Sequence, residues 1–224
     1  MDWTASIDGY CERLDPSFWA EPLNAWTNLA FLLAAAVMAW RLRGARLPMA
    51  QSRLAWALVA VLATIGVGSF LFHTFATRWA AVADVAPIAV FVLLYIYVAN
   101  RSYWGLAPGW ALGTTALFFP YAAAMVPLFA MVPGLGSSAG YAPVALLIAL
   151  YAVALWRRVP EVARGLAIGA AILAVSITLR SLDEPLCAVW PMGTHPAWHL
   201  LNALMLGWMI EVLRRHVEAA EPDF

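Results

Sequence analysis

Seven apolar runs, each long enough to cross a hydrocarbon core of roughly 30 Å, occupy most of this chain. They cover about residues 24–40, 54–75, 80–99, 108–125, 141–156, 165–182 and 196–213. No water reaches such a core, so the backbone must satisfy its own hydrogen bonds, as a helix or a closed barrel does. Runs of this length without alternating polarity read as helices. The expected fold is an all-α integral membrane protein, a bundle of seven transmembrane helices. With 64% hydrophobic and only 12% charged residues, the chain is too apolar for a soluble domain of this size. Pro120 and Pro127 should kink or end the fourth run. The glycines of 133–141 mark a turn.

The arginines sort by side. Arg41, Arg43, Arg46 and Arg53 lie between runs one and two, and Arg101 between three and four. Arg157, Arg158 and Arg164 lie between five and six, and Arg214 and Arg215 follow seven. All share one face, while Arg13, Arg78 and Arg180 fall toward the other. The positive-inside rule puts the first set in the cytoplasm, with the N-terminus outside and the C-terminus inside. Segment 1–23 is acidic, carrying Asp2, Asp8, Glu12, Asp15 and Glu21 against Arg13, and lacks the positive n-region of a signal peptide. This divides the chain into an extracytoplasmic segment at 1–23, a bundle at 24–214 and a cytoplasmic tail at 215–224. The formal net charge is zero, so no basic face is offered to nucleic acid.

The outward face collects the chemistry. His73 closes run two, Asp84 opens run three, and His195 and His199 open run seven. His195 and His199 are four apart, so both project from one helix face. Ionisable groups at membrane depth are functional candidates by default. Three imidazoles at one level suit zinc and leave a coordination position for water. Asp84 could serve as general base or orient a ligand imidazole. Ser69, one turn from His73, could steady a developing oxyanion. The bland alternatives are a helix cap for Asp84 and solvated interfacial histidines. A haem held axially by His73 and His199, or a receptor, would be a different class of protein. Haem would leave Ser69, Asp84 and His195 without a role.

Cys11 and Cys187 also fall outside, where a disulfide can persist. Such a bond would pin the N-terminal segment over the loop between runs six and seven. Two unpaired small apolar residues are the alternative. Carboxylates at Asp8, Glu12, Asp15 and Glu21 offer the hard oxygens that calcium prefers, but not at EF-hand spacing. On the residues alone, a solvated acidic juxtamembrane segment is the favoured reading.

Taken in order, Tyr10-Cys11-Glu12, the Ala20-Glu21-Pro22-Leu23-Asn24 segment, Gly68-Ser69-x3-His73, Asp84, Asp183, Cys187 and His195-x3-His199 resemble the alkaline ceramidase family. That family sits in a superfamily of seven-helix membrane hydrolases with the adiponectin receptors and Per1-type proteins. The resemblance runs from about Asp8 to Arg214. It implies zinc on His73, His195 and His199, a working pair in Ser69 and Asp84, and a Cys11–Cys187 disulfide. It also implies a calcium site built on Glu12 and Glu21, with Asp8 and Asp15 nearby. The segment between Glu12 and Glu21 is shorter than in the animal enzymes, and Gly9 stands where an acidic ligand belongs.

The expected function is zinc-dependent hydrolysis of the amide bond of a ceramide-like lipid, releasing a sphingoid base and a fatty acid. The expected setting is a bacterial inner membrane with the site facing the periplasm or exterior. The partner is the lipid substrate, and no obligate protein partner is implied. Hydrolysis of a lipid ester is the alternative within the same chemistry.

Overall fold

The computed structural model describes residues 2–220. The helices, in chain order, are α1 (Pro22–Thr27), α2 (Leu29–Arg43), α3 (Met49–Phe75), α4 (Arg78–Ser102), α5 (Pro108–Ala116) and α6 (Phe118–Ala130). A 3-10 turn at Gly136–Gly140 follows, then α7 (Ala142–Leu155), α8 (Pro160–Ser181), the one-turn α9 (Asp183–Leu186) and α10 (His195–Ala219). The described residues form no strand beyond an isolated bridge between Ser6 and Thr77.

Six helical segments are long and apolar enough to cross a membrane: Pro22–Arg43, Met49–Phe75, Arg78–Ser102, Pro108–Ala130, Gly136–Leu155 and Pro160–Ser181. They match the first six expected runs. The helix α10 occupies the place of the seventh. It is as long as the others but carries Glu211, Arg214 and Arg215 toward its end. It continues past the expected end at 213 to Ala219, so the expected tail begins as helix. Residues 221–224 of that tail lie outside the described ones.

The fourth run is two helices, broken at Leu117. The cause is Pro120. A proline cannot donate to the carbonyl four residues back and its ring clashes with it. That carbonyl belongs to Ala116, the last residue of α5. Pro127, in contrast, is accommodated inside α6, which outlasts the expected end at 125.

Large apolar side chains point both ways. Leu58, Leu62, Leu166 and Ile210 are fully buried between helices, while Leu33, Leu112, Val153 and Leu204 are exposed around the outside. Lipid tails are as apolar as leucine, so close packing and polar contacts, not water exclusion, must hold the bundle together. Both are present. A Cβ built on Gly68 would lie 2.1 Å from the carbonyl oxygen of Ala83, so only glycine lets α3 and α4 meet there. At one end of the bundle the Arg41 guanidinium donates to Glu211 through Nε and Nη2, at 2.9 and 2.8 Å. Arg214 and Arg215 bond the same carboxylate. This end holds the C-termini of both α2 and α10.

The other end is roofed by the N-terminal segment. Ile7 N donates to Ala76 O at 2.7 Å and Arg78 N to Ala5 O at 3.1 Å, laying the segment across the turn between α3 and α4. A Cys11–Cys187 disulfide fastens it to the loop before α10, as expected.

Candidate metal centre and its cavity

His73 lies in the last turn of α3, and His195 and His199 in the first two turns of α10. All three are buried, none more than 1% exposed. Their ring centroids are 4.5 to 5.1 Å apart, and one ligand atom from each lies within 4.8 Å of the other two. His73 Nε2, His195 Nδ1 and His199 Nε2 have no hydrogen-bond partner. A buried polar atom without a partner costs about 1–3 kcal/mol, and three gathered together fit a cation that accepts all three lone pairs.

The opposite ring nitrogens fix the tautomers. His73 Nδ1 is 2.6 Å from Glu21 Oε2, and a carboxylate oxygen can only accept, so Nδ1 carries the proton. His199 Nδ1 is 2.8 Å from Thr27 Oγ1. That hydroxyl already donates to the carbonyls of Leu23 and Asn24, so here too Nδ1–H is the donor. Each arrangement leaves Nε2 with a free lone pair, the form a metal ligand requires. His195 is placed differently. Its backbone N–H donates to Asp183 Oδ1 at 2.8 Å, and its ring stacks on Tyr10 with centroids 3.8 Å apart.

Asp183, 2% exposed, organises this corner. Its Oδ1 also accepts from Thr194 N, and its Oδ2 from Cys11 N at 3.0 Å. One carboxylate therefore caps the start of α10 and binds the roof. It fits only because Gly193, at φ +67°, has no Cβ: one built there would lie 2.1 Å from Asp183 Oδ1.

Ser69 and Asp84 line one cavity together with His199. Ser69 faces it from α3 one turn before His73, and the close approach at Gly68 carries Asp84 of α4 alongside. The cavity has a volume of about 280 Å³ and continues from His199 between apolar walls that include Ile65, Ile88, Phe91, Leu173, Met205 and Met209.

Among the described residues the acidic segment gathers no group of three or more carboxylates, and nothing supports the expected calcium site. Asp8 is exposed. Glu12 accepts from the backbone N–H groups of Leu23 and Asn24, at 2.6 and 2.8 Å, and so caps α1. Asp15 caps its own turn by accepting from Ser17 N. Glu21 faces inward and is taken by a cation from the chain itself. Arg13 Nε donates to Glu21 Oε1 at 2.5 Å, and both side chains are buried. The same guanidinium donates to the carbonyls of Asp15, Ser17 and His73. Burial alone would push the Glu21 carboxyl up. Its hydrogen bonds to His73 and Arg13 outweigh that and hold it below the usual carboxylate range. Glu12, Asp15 and Glu21 thus have separate structural uses. Among the described residues the three histidines are the one group of metal-binding side chains close enough to share an ion.

Arg13, Thr27 and the capping role of Asp183 were not evident from sequence. Each acts through a contact between segments far apart in the chain. Nothing in the sequence marked Thr27 as the partner of an imidazole.

Six helical segments are long and apolar enough to cross a membrane, and a buried three-histidine group that could hold a metal ion adjoins, through His199, a largely apolar cavity. The sequence matches the Ceramidase family model over residues 3–221 of 224, and the chain belongs to that family. Family membership implies a hydrolase acting on the amide bond of a ceramide-type lipid. No match emerges from comparison with curated proteins.

Proposed function

We propose that the protein is a zinc-dependent amidohydrolase that cleaves ceramide-like lipids into a sphingoid base and a free fatty acid. The observation that carries this reading is the convergence of three unpartnered imidazole nitrogens at the head of an apolar cavity. His73, His195 and His199 would hold the ion. Bound there, zinc supplies Lewis acidity, polarising a carbonyl and making water a nucleophile at neutral pH.

The remaining steps belong to the chain. The cavity walls take up a hydrocarbon chain and place the scissile amide beside Ser69 and Asp84. Asp84 accepts a proton from the attacking water and returns one to the departing amine nitrogen, as a positioned carboxylate can. The Ser69 hydroxyl donates a hydrogen bond to the carbonyl oxygen as it gains charge. Glu21 and Thr27 hold the His73 and His199 rings in their orientation.

In this reading α10 is the seventh span, with the N-terminus and the histidines outside and the arginine end inside. The Arg41–Glu211 contact supports it, because α2 and α10 then end on the same, arginine-rich side. The substrate amide would reach the site from the outer leaflet.

Purified protein incubated with N-acylsphingosine tests the reading. We expect fatty acid and sphingoid base by mass spectrometry, loss of both after chelation, and recovery on adding zinc. Full turnover by His73→Ala or His199→Ala would refute it. Preferential cleavage of an ester lipid of equal chain length would redirect it to that bond.

A further inference from the structure

Asn202 sits on α10 three residues after His199, about 4.5 Å further along the helix axis at 1.5 Å per residue. It forms part of the cavity wall and is 7% exposed. Both of its amide N–H groups are committed. Nδ2 donates to Ser176 Oγ at 2.7 Å and to Trp198 O at 2.9 Å. A backbone carbonyl can only accept, so the atom facing Trp198 O must be the nitrogen, which fixes the amide against a flip. Ser176, fully buried on α8, is itself turned toward Trp198 O at 3.3 Å. The amide is therefore clamped in one orientation, and no described group donates to its carbonyl oxygen.

Other polar groups deep in this wall are satisfied. The Tyr95 hydroxyl pairs with Tyr103 and donates to Met209 O. The Tyr151 hydroxyl donates to Asn100 Oδ1. Asn202 differs from them: a held acceptor in an apolar chamber, one helical turn below the proposed site of bond cleavage. An acceptor so placed has no value to a bare hydrocarbon chain, and burying it against one costs free energy.

We propose that Asn202 Oδ1 is a specificity determinant that accepts a hydrogen bond from a lipid hydroxyl lying within a few bonds of the scissile carbonyl. This rests on the amidohydrolase reading and deepens it. The protein would select hydroxylated substrates over their deoxy counterparts. The hydroxyl has two chemical sources, the acyl chain near its carbonyl or the 3-position of the sphingoid base, depending on which chain enters the cavity. The recognition chemistry is the same for both.

The experiment uses detergent-purified protein and matched lipid pairs. One pair differs only in an acyl-chain hydroxyl near the carbonyl, the other only in the 3-hydroxyl of the base. Binding is read from the shift of Tm with lipid concentration, and turnover is read separately by product mass. For wild type we expect one pair to show about five- to tenfold tighter binding of the hydroxylated member, the size of one neutral hydrogen bond. The pair that does so identifies the source. In Asn202→Leu that ratio should fall to near one, because the acceptor is gone while the wall stays apolar. Ser176→Ala, which frees the amide to rotate without touching the cavity, should reduce the ratio partway. Equal binding within both pairs by wild type overturns the proposal, as does a preference that survives Asn202→Leu. Because binding is read without turnover, failure to hydrolyse any amide would count against the amidohydrolase reading alone.

Discussion

Glu21 holds His73. Its Oε2 lies 2.6 Å from the imidazole Nδ1, while its Oε1 is taken by Arg13. The unpartnered Nε2 of His73, the nitrogen proposed to face the metal, is thus oriented by a carboxylate that is itself anchored to a cation in the N-terminal segment.

From this chain of contacts, Glu21→Ala should lower zinc affinity about 10- to 100-fold, the usual cost of losing a partner that orients a ligand. Competition against a chelator of known affinity measures it. Unchanged affinity would mean that packing alone orients His73.

Arg13→Ala should act on stability more than on affinity. It leaves the buried Glu21 carboxylate without its cation, a loss of about 3–5 kcal/mol for a buried pair broken on one side. A fall in Tm of the purified protein is the expected result. A Tm within a degree or so of wild type would show that solvent replaces the guanidinium.

Asp84→Asn and Ser69→Ala should separate catalysis from metal binding. Loss of the proposed proton acceptor should cost about 10²–10⁴-fold in kcat, and loss of the hydroxyl donor about 10²-fold or more. Both variants should retain stoichiometric zinc. If either loses the metal together with activity, its role is structural.

Gly68→Ala places a methyl group against the carbonyl of Ala83, where the separation would be 2.1 Å. The α3–α4 contact must open, at a cost of about 1–3 kcal/mol or more. Because Ser69 and Asp84 flank that contact, activity should fall even where protein remains folded. Full activity with a wild-type Tm would place the helix contact elsewhere.

Cys11→Ser should destabilise the protein by about 2–5 kcal/mol, as loss of a native disulfide does. It should also loosen the roof that stacks Tyr10 on His195. Faster hydrogen exchange in the N-terminal segment, alongside a lowered Tm, is the expected signature.

The parts legible in the sequence were those set by local periodicity. Helix lengths followed from uninterrupted apolar runs. The H-x3-H and S-x3-H spacings placed side chains on one face because α-helical geometry leaves no other arrangement. Pro120 marked the break in the fourth run through its effect on Ala116. The illegible parts depend on where irregular segments cross the bundle. Arg13 read as an ordinary member of an acidic segment, and Glu21 as a carboxylate for calcium or for solvent. Only the path of that segment over the end of α3 turns Glu21 inward, where Arg13 pairs with it. Asn202 gave no signal for a similar reason. A single asparagine on a helix acquires direction only from Ser176 on another helix.

The roof joins residues 11 and 187, separated by 176 positions in the chain. The first of these is made early, yet it cannot find its partner until nearly the whole protein has been synthesised. His195, on the helix that follows, comes later still. The histidine cluster therefore cannot be complete until the start of α10 has been made. A translation product stopped before α10 would carry both cysteines of the roof but only one histidine of the three, so the covalent tie could close over a cluster that is not yet there.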